Sequence, residues 1–225
     1  MKDNSMIKGI LFDLDGVLFD TETYDTKILY DYLDLINSPL PKERLNYLIC
    51  PNREIDFVNE MLKGYVAKED QEEFMRKMKE YSFSHRQDRS YKKLMFKEVP
   101  DTLQWLKDND YKIACVSSAT NEYISKALIE AEITEYFDII VSGDNFDKNK
   151  PAPDCYLFSA KQLGLTPKEC LVIEDSYNGI LSGKNANMLV FARKEYSLGL
   201  NQSGADYYGD DYSSLIQLIK EKNKQ

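Results

Sequence analysis

Five short apolar runs recur along the chain: "IKGILF", "YKIACVSS", "FDIIVSG", "ECLVIEDS" and "MLVFAR". Each has the length of a strand, is rich in β-branched or aromatic residues, and most are bounded by turn formers. Between the later runs lie stretches with helical spacing: "DTLQWLKDND", "NEYISKALIEAEI", "DCYLFSAKQLG" and "YNGILSGKNAN". Strand and helix alternate, which predicts an α/β fold with a parallel sheet covered on both faces, since parallel neighbours need a crossover connection. Right-handed crossovers then place all strand C-termini along one edge of the sheet. The chain has 225 residues, 43% of them hydrophobic. That suffices for one sizeable core with a smaller appendage.

From Glu22 to Tyr91 the rhythm breaks. "TYDTKILYDYLDLI", "PKERLNYLI", "REIDFVNEML" and "KEDQEEFMRKMKEYSFSHRQ" mix charges and apolar residues at helical spacing, and no strand-like run appears. The expected organisation is a core from residues 1–21 and 92–225, with an all-helical cap, residues 22–91, inserted after the first strand. Such an insertion can act as a lid. Its aromatic residues, among them Tyr24, Tyr30, Tyr32 and Phe57, are expected to serve packing. The final "KEKNKQ" is expected to be a frayed, solvated end.

Lysine and arginine total 29 against 38 acidic residues, a net charge of −9. Such a surface repels nucleic acid and anionic membrane, so an anionic ligand must be held by a local site. The expected partner is a small molecule. Cys50, Cys115, Cys155 and Cys170 form no CxxC pair, and Cys115 and Cys170 lie in strand-like runs. Free buried thiols and a reducing cytosol are expected. The N-terminal residues do not read as a signal peptide, and no run is long enough to cross a bilayer. A cytoplasmic monomer is the expectation. With His85 the only histidine, a histidine-based triad or a polyhistidine metal site is excluded.

The strand ends carry the chemistry. The first run enters Asp13-Leu14-Asp15-Gly16, the second ends at Ser117-Ser118, the third leads to Lys150 in "KNKPAPD", and the fourth ends at Glu174-Asp175-Ser176. In a parallel sheet these four ends converge near the point where strand order reverses. Asp13, Asp15 and Asp175, with Glu174 left open as a fourth, would repel one another without a cation. Oxygen-only ligands suit a hard cation, Mg²⁺ rather than Zn²⁺. A hydroxyl at Ser117 and an ammonium at Lys150 suit phosphoryl oxygens. A carboxylate can attack phosphorus, and Asp13, at the strand end, is assigned that role. Asp15 lies on the same side if the backbone stays extended, placed to protonate a leaving alcohol and then deprotonate an incoming one. Gly16 permits the tight turn away from the strand. Ser117 and Ser118 can also cap the following helix, which is compatible with anion binding.

These residues resemble the motifs of the haloacid dehalogenase-like superfamily. "DLDGVL" is similar to its first motif and Ser117 to its second. "KPAPD", with Lys150, is similar to the third and "IEDSYNG" to the fourth, in the same order. The resemblance implies a Rossmann-like core with a helical cap, Mg²⁺ dependence, and phosphate removal or transfer on small metabolites. It implies Asp13 as nucleophile, Asp15 as acid/base, and Asp13, the backbone carbonyl of Asp15 and Asp175 as metal ligands. Dehalogenases of the superfamily lack the second aspartate, so Asp15 argues against that activity.

Within it, the chain resembles the branch of β-phosphoglucomutase and phosphoglycolate phosphatase-like enzymes. "DTE" resembles the segment leading into the cap, and "PNREIDF" a cap segment with a phosphate-binding arginine, here Arg53. The mutases carry a histidine where this chain has Asp25, and a cap lysine aligned with Tyr81. A phosphatase acting on a small phosphorylated metabolite, a sugar phosphate above all, is therefore expected. The alternatives are a sugar-phosphate mutase and a non-catalytic phosphometabolite-binding protein.

Overall fold

The computed structural model describes residues 6–42, 44, 45 and 61–224. In chain order its elements are β1 (Gly9–Phe12), α1 (Thr21–Leu35), α2 (Gln71–Arg86), α3 (Tyr91–Leu94), α4 (Val99–Asp108), β2 (Lys112–Ser117), α5 (Asn121–Glu130), β3 (Ile139–Ser142), α6 (Asp154–Gln162), β4 (Cys170–Glu174), α7 (Tyr177–Asn185), β5 (Leu189–Arg193), β6 (Tyr207–Gly209) and α8 (Tyr212–Asn223). The chain forms two compact units. One comprises Met1–Asp20, Tyr91–Glu195 and Asn201–Gln225; the other comprises Thr21–Ser90 and Tyr196–Leu200.

The first unit holds a six-stranded sheet in the order β3-β2-β1-β4-β5-β6, all pairings parallel. The order reverses between β1 and β4, where Phe12 stands in register with Ile173. Residue alternation divides the core in two. Ile10 and Phe12 face a cluster built with Leu103 and Leu106 of α4, Ile124 and Leu128 of α5, and Leu215 and Ile219 of α8. Leu11 faces the other layer with Val172, Tyr156 and Ala160 of α6, and Ile180 of α7. Ile10, Leu11 and Phe12 are fully buried, each contributing roughly 1.5–3 kcal/mol from apolar burial. This doubly wound sheet is the α/β core expected from the alternating runs.

Three elements were not expected, the four-residue α3 (Tyr91–Leu94) among them. β6 has three residues, Tyr207–Gly209, and pairs only as an edge strand beside β5. α8 buries Tyr212, Leu215, Leu218 and Ile219 at helical spacing, opened by Asp211, whose carboxylate accepts from the Ser214 amide. The "KEKNKQ" end is correspondingly not all frayed. Asn223 closes α8, and its side-chain amide donates to the Ile7 carbonyl and the Tyr111 hydroxyl while accepting from the Ile7 amide. Those bonds tie the last turn to the chain just before β1.

In the second unit α1 and α2 share an apolar face built from Leu29, Tyr32, Leu33 and Met78, joined by Leu40, Leu45, Met61 and Leu62. Tyr32 meets Phe74 edge-on and packs against Tyr81, so these rings serve packing. Tyr81 in turn stacks on His85. Asp25 bridges two arginines, Arg86 at 2.8 Å and Arg89 at 2.6 Å. Arg53, Phe57 and Cys50 lie outside the described residues. Cys115, Cys155 and Cys170 are free, buried thiols, as expected. Burial pushes the Cys115 thiol well up, with Asp13 adding to the effect, so it stays protonated and inert. Among the described residues no helix is long and apolar enough to cross a membrane.

Candidate active site

β1 and β4 are neighbours at the switch point, so their C-terminal residues are delivered to one place. The Asp13 amide donates to the Ile173 carbonyl at 3.0 Å, continuing the ladder one step past the strand. By the period-two alternation Leu11 and Asp13 share one face of the sheet, as do Val172 and Glu174. That face is the one covered by α6.

Lys150 fills the space between them. Its ammonium donates to Asp13 Oδ1 at 2.5 Å, to Glu174 Oε1 at 2.7 Å and to the Val116 carbonyl of β2 at 2.9 Å. All three donors of the ammonium are thereby used on three adjacent strands. The side chains are 7% exposed for Lys150, 13% for Asp13 and 1% for Glu174, so these pairs act with little solvent screening. Tyr156 of α6 places its ring 4.8 Å from the ammonium and donates its hydroxyl to Glu174 Oε1 at 2.7 Å. Glu174 Oε2 accepts from the Asp175 amide and the Ser176 hydroxyl. Glu174 is therefore the anchor of Lys150.

Asp13, Glu174 and Asp175 each bring a carboxylate oxygen within 4.8 Å of the other two, and all three residues are buried. Lys150 reaches two of the three, Asp13 and Glu174. Burial pushes the Asp13 carboxyl up to about 8; Lys150 opposes the rise, while Glu174 and Asp15 add to it. Lys150 is itself driven well above its ordinary range: burial alone would lower it, but Asp13 and Glu174 outweigh that. A buried carboxyl that remains short of positive charge, among oxygen donors only, is what a hard divalent cation would satisfy.

Close approach of backbone to these carboxylates depends on two glycines. Gly16 has φ +73°, and a Cβ there would stand 1.9 Å from Asp175 Oδ2. The Asp15–Gly16 turn thus lies directly against Asp175. Gly179, in the first turn of α7, would place a Cβ 1.9 Å from the Glu174 carboxyl. Ser176 caps that helix by accepting from the Gly179 amide at 3.1 Å.

β1 ends at Phe12, so strand alternation does not extend to Asp15. Asp15 is half-buried, and its Oδ1 accepts from the Tyr123 hydroxyl at 2.8 Å. Ser117 ends β2, is buried, and accepts from the Ala119 amide at 3.1 Å. Ser118 is exposed. The cap of α5 is neither serine but Thr120, whose hydroxyl accepts from the Tyr123 amide. The structure thus brings together Asp13, Lys150, Glu174 and Asp175, with Gly16 against Asp175 and Ser117 on the strand beside β1.

Sequence reasoning missed three supporting side chains. Tyr156 and Tyr123 are helix tyrosines with no local mark of their contacts. Gln202 lies beyond β5, yet its amide donates to the Asp175 and Arg193 carbonyls at 2.6 and 2.7 Å and accepts from the Glu195 amide, holding the ends of β4 and β5 together. Such long-range bonds leave no signal in periodicity or motif spacing.

A doubly wound parallel sheet with carboxylates and a lysine at its switch point defines a Rossmann-like α/β protein. A family model described as haloacid dehalogenase-like hydrolase matches residues 10–193, and the chain belongs to that family. It is 30% identical over 186 residues to the putative phosphatase YhcW of Bacillus subtilis, with 81% of each chain covered. It is 29% identical over 226 residues to the phosphoglycolate phosphatase of Nitrosospira multiformis, covering 97% of this chain and 95% of that one. The crystal structure of β-phosphoglucomutase from Clostridium difficile superposes with a TM-score of 0.68 at 25% identity, covering 97% of this chain and 98% of that one. The chain is an enzyme of this family, of the phosphatase and phosphoglucomutase kind.

Proposed function

We propose that the chain is a Mg²⁺-dependent phosphatase that releases inorganic phosphate from a small phosphorylated metabolite, a sugar phosphate above all, through an aspartyl-phosphate on Asp13. The observation that carries this reading is the Lys150 ammonium shared between Asp13 and Glu174 beside Asp175. The phosphatases among its relatives support the class of substrate.

In this reading the side chains of Asp13 and Asp175 and the backbone carbonyl of Asp15 would hold Mg²⁺. When bound it supplies charge neutralisation for phosphoryl oxygens and for the ionised form of Asp13. Glu174 is reserved for Lys150. Asp13 Oδ1 is engaged by Lys150, which assigns Oδ2 to attack. The new bond joins Asp13 Oδ2 to phosphorus as the ester P–O bond breaks, and Asp15 gives its proton to the departing alkoxide. Asp15 then takes a proton from water, the hydroxide attacks phosphorus, and the Asp13–phosphorus bond breaks to release phosphate. Ser117 donates to the phosphoryl oxygens where negative charge spreads, and Lys150, whose three N–H groups hold Asp13, Glu174 and the Val116 carbonyl, adds its positive charge beside them. Residues 22–91 act as a cap that closes over the substrate and excludes bulk water.

The alternative, return of the phosphoryl group to a second sugar hydroxyl, follows from the likeness to β-phosphoglucomutase. Asp25 weakens it: the position that carries a histidine in the mutases here holds a carboxylate bridging Arg86 and Arg89. The test is phosphate release across a panel of sugar and short-chain phosphate monoesters, with Mg²⁺ or with EDTA. Phosphate release that needs Mg²⁺ and is lost in Asp13→Asn is expected. Release that persists in Asp13→Asn would overturn the reading, and transfer between hydroxyls of a hexose phosphate without free phosphate would replace it with the mutase.

A further inference from the structure

Asp15 is the group that the proposed chemistry asks to move two protons, and it sits on a turn rather than on the sheet. Its backbone is fixed locally: the Gly16 amide donates to the Phe19 carbonyl at 2.8 Å, and Asp15 forms an isolated bridge with Phe19. These are backbone contacts, and the carboxyl group turns about its own side-chain torsions. The Tyr123 hydroxyl engages it directly, donating to Oδ1 at 2.8 Å.

Tyr123 is itself held at its backbone and at its ring. It stands in the first turn of α5, where Thr120 accepts from its amide. Its ring meets Tyr91 edge-on, with centroids 5.7 Å apart and planes at 89°. Tyr91 is buried and meets Phe19 in the same manner, at 5.5 Å and 73°. The Tyr91 amide donates to Glu130 at the far end of α5, at 2.9 Å. The two residues that bracket the Asp15 turn are thus linked by one continuous stack: Phe19 to Tyr91 to Tyr123, and back through a hydrogen bond to Asp15. Edge-on aromatic pairs have a defined geometry, so the stack sets where the phenol oxygen lies.

We infer that Tyr123 is a positioning residue for proton transfer: its hydroxyl orients the Asp15 carboxyl toward the leaving oxygen of the phosphate ester. This rests on the proposed role of Asp15 as acid and base. A phenol hydroxyl can donate to a carboxylate and accept from a carboxylic acid, so the contact is available before and after Asp15 gives up its proton. A phenylalanine side chain would preserve the ring packing but not that contact.

The test separates orientation of an acid from mere support of the fold. Proton donation matters for poor leaving groups and hardly at all for good ones. The rate of leaving-group release in the first turnover is measured with enzyme in excess and saturating Mg²⁺, for alkyl phosphates and for nitrophenyl phosphate. The enzymes are the parent, Asp15→Asn and Tyr123→Phe. Asp15→Asn is expected to lose about 10²- to 10⁴-fold on alkyl phosphates and little on nitrophenyl phosphate. Tyr123→Phe, which keeps the ring and its stack, is expected to lose about tenfold or more on alkyl phosphates with nitrophenyl phosphate within about twofold. The same loss on both substrates in Tyr123→Phe, or none on either, with Asp15→Asn selective as described, would overturn the inference and leave the proposed function standing. An Asp15→Asn variant without leaving-group selectivity would instead overturn the role of Asp15, and the inference with it.

Discussion

Removing the Lys150 ammonium should destabilise the protein in a way that grows with pH. In Lys150→Met the aliphatic stem still fills its place, but Glu174 and Asp13 lose the ammonium that bridges them. Stripping one partner from a buried ion pair costs about 3–5 kcal/mol. At roughly 2–4 °C per kcal/mol for a chain of this size, the melting temperature should fall by about 10 °C. The pH dependence follows from Asp13, whose carboxyl is pushed up to about 8 from an ordinary value of 3.8 even with Lys150 in place. Raising a carboxyl's folded-state value makes folding bind a proton, so stability is lost as pH climbs from the ordinary value to the raised one and then levels. Without Lys150, which opposes the rise, the decline must continue to higher pH. The two proteins, unfolded by urea in EDTA, should therefore diverge more at about pH 9 than at about pH 6. Lys150 is held well above its ordinary range and stays charged across that interval. Curves within about 1 kcal/mol of each other at both pH values would refute the view that this ammonium compensates buried charge.

Two further outcomes follow from the same geometry. In EDTA the parent's stability should fall between about pH 4 and about pH 8, and Asp13→Asn, which has no proton to lose there, should flatten that fall in urea titrations across the range. Gly16→Ala would force a Cβ against the Asp175 carboxylate at a backbone φ of +73°, so a loss of about 1–3 kcal/mol and a much larger fall in kcat are expected, read by thermal melting and phosphate release.

The site's core was legible because it is built from strand ends. Asp13, Ser117, Lys150 and Asp175 each follow or end an apolar run, and parallel topology alone sends such ends to one edge. The tasks of those side chains were less legible. Glu174 was visible beside Asp175, but its hold on Lys150 together with Tyr156 is made by long-range contacts that adjacency in sequence does not reveal. Tyr123 reads as one more aromatic in an amphipathic helix until its hydroxyl is seen on Asp15. Among the elements, β6 is too short for an alternation to register, and it gains its place by pairing along β5. The helix Tyr212–Asn223 does carry apolar residues at helical spacing, at Tyr212, Leu215, Leu218 and Ile219, but follows no strand-like run that would have drawn attention to it. Its last residue is ordered by bonds to Ile7 and Tyr111, contacts between distant parts of the chain that composition cannot reveal.

Attack by Asp13 on phosphorus is the step on which the proposed chemistry depends, and it can be caught directly. Asp15→Asn should still accept a phosphoryl group from nitrophenyl phosphate, which leaves without an acid, but should lack the base that activates water. Mixed with excess nitrophenyl phosphate and Mg²⁺, then quenched in acid and digested, it should carry one phosphoryl group per chain, on the peptide containing Asp13 and labile to hydroxylamine. Continued turnover with no phosphoryl group on that peptide, or a phosphoryl group on any other residue, would contradict the assignment.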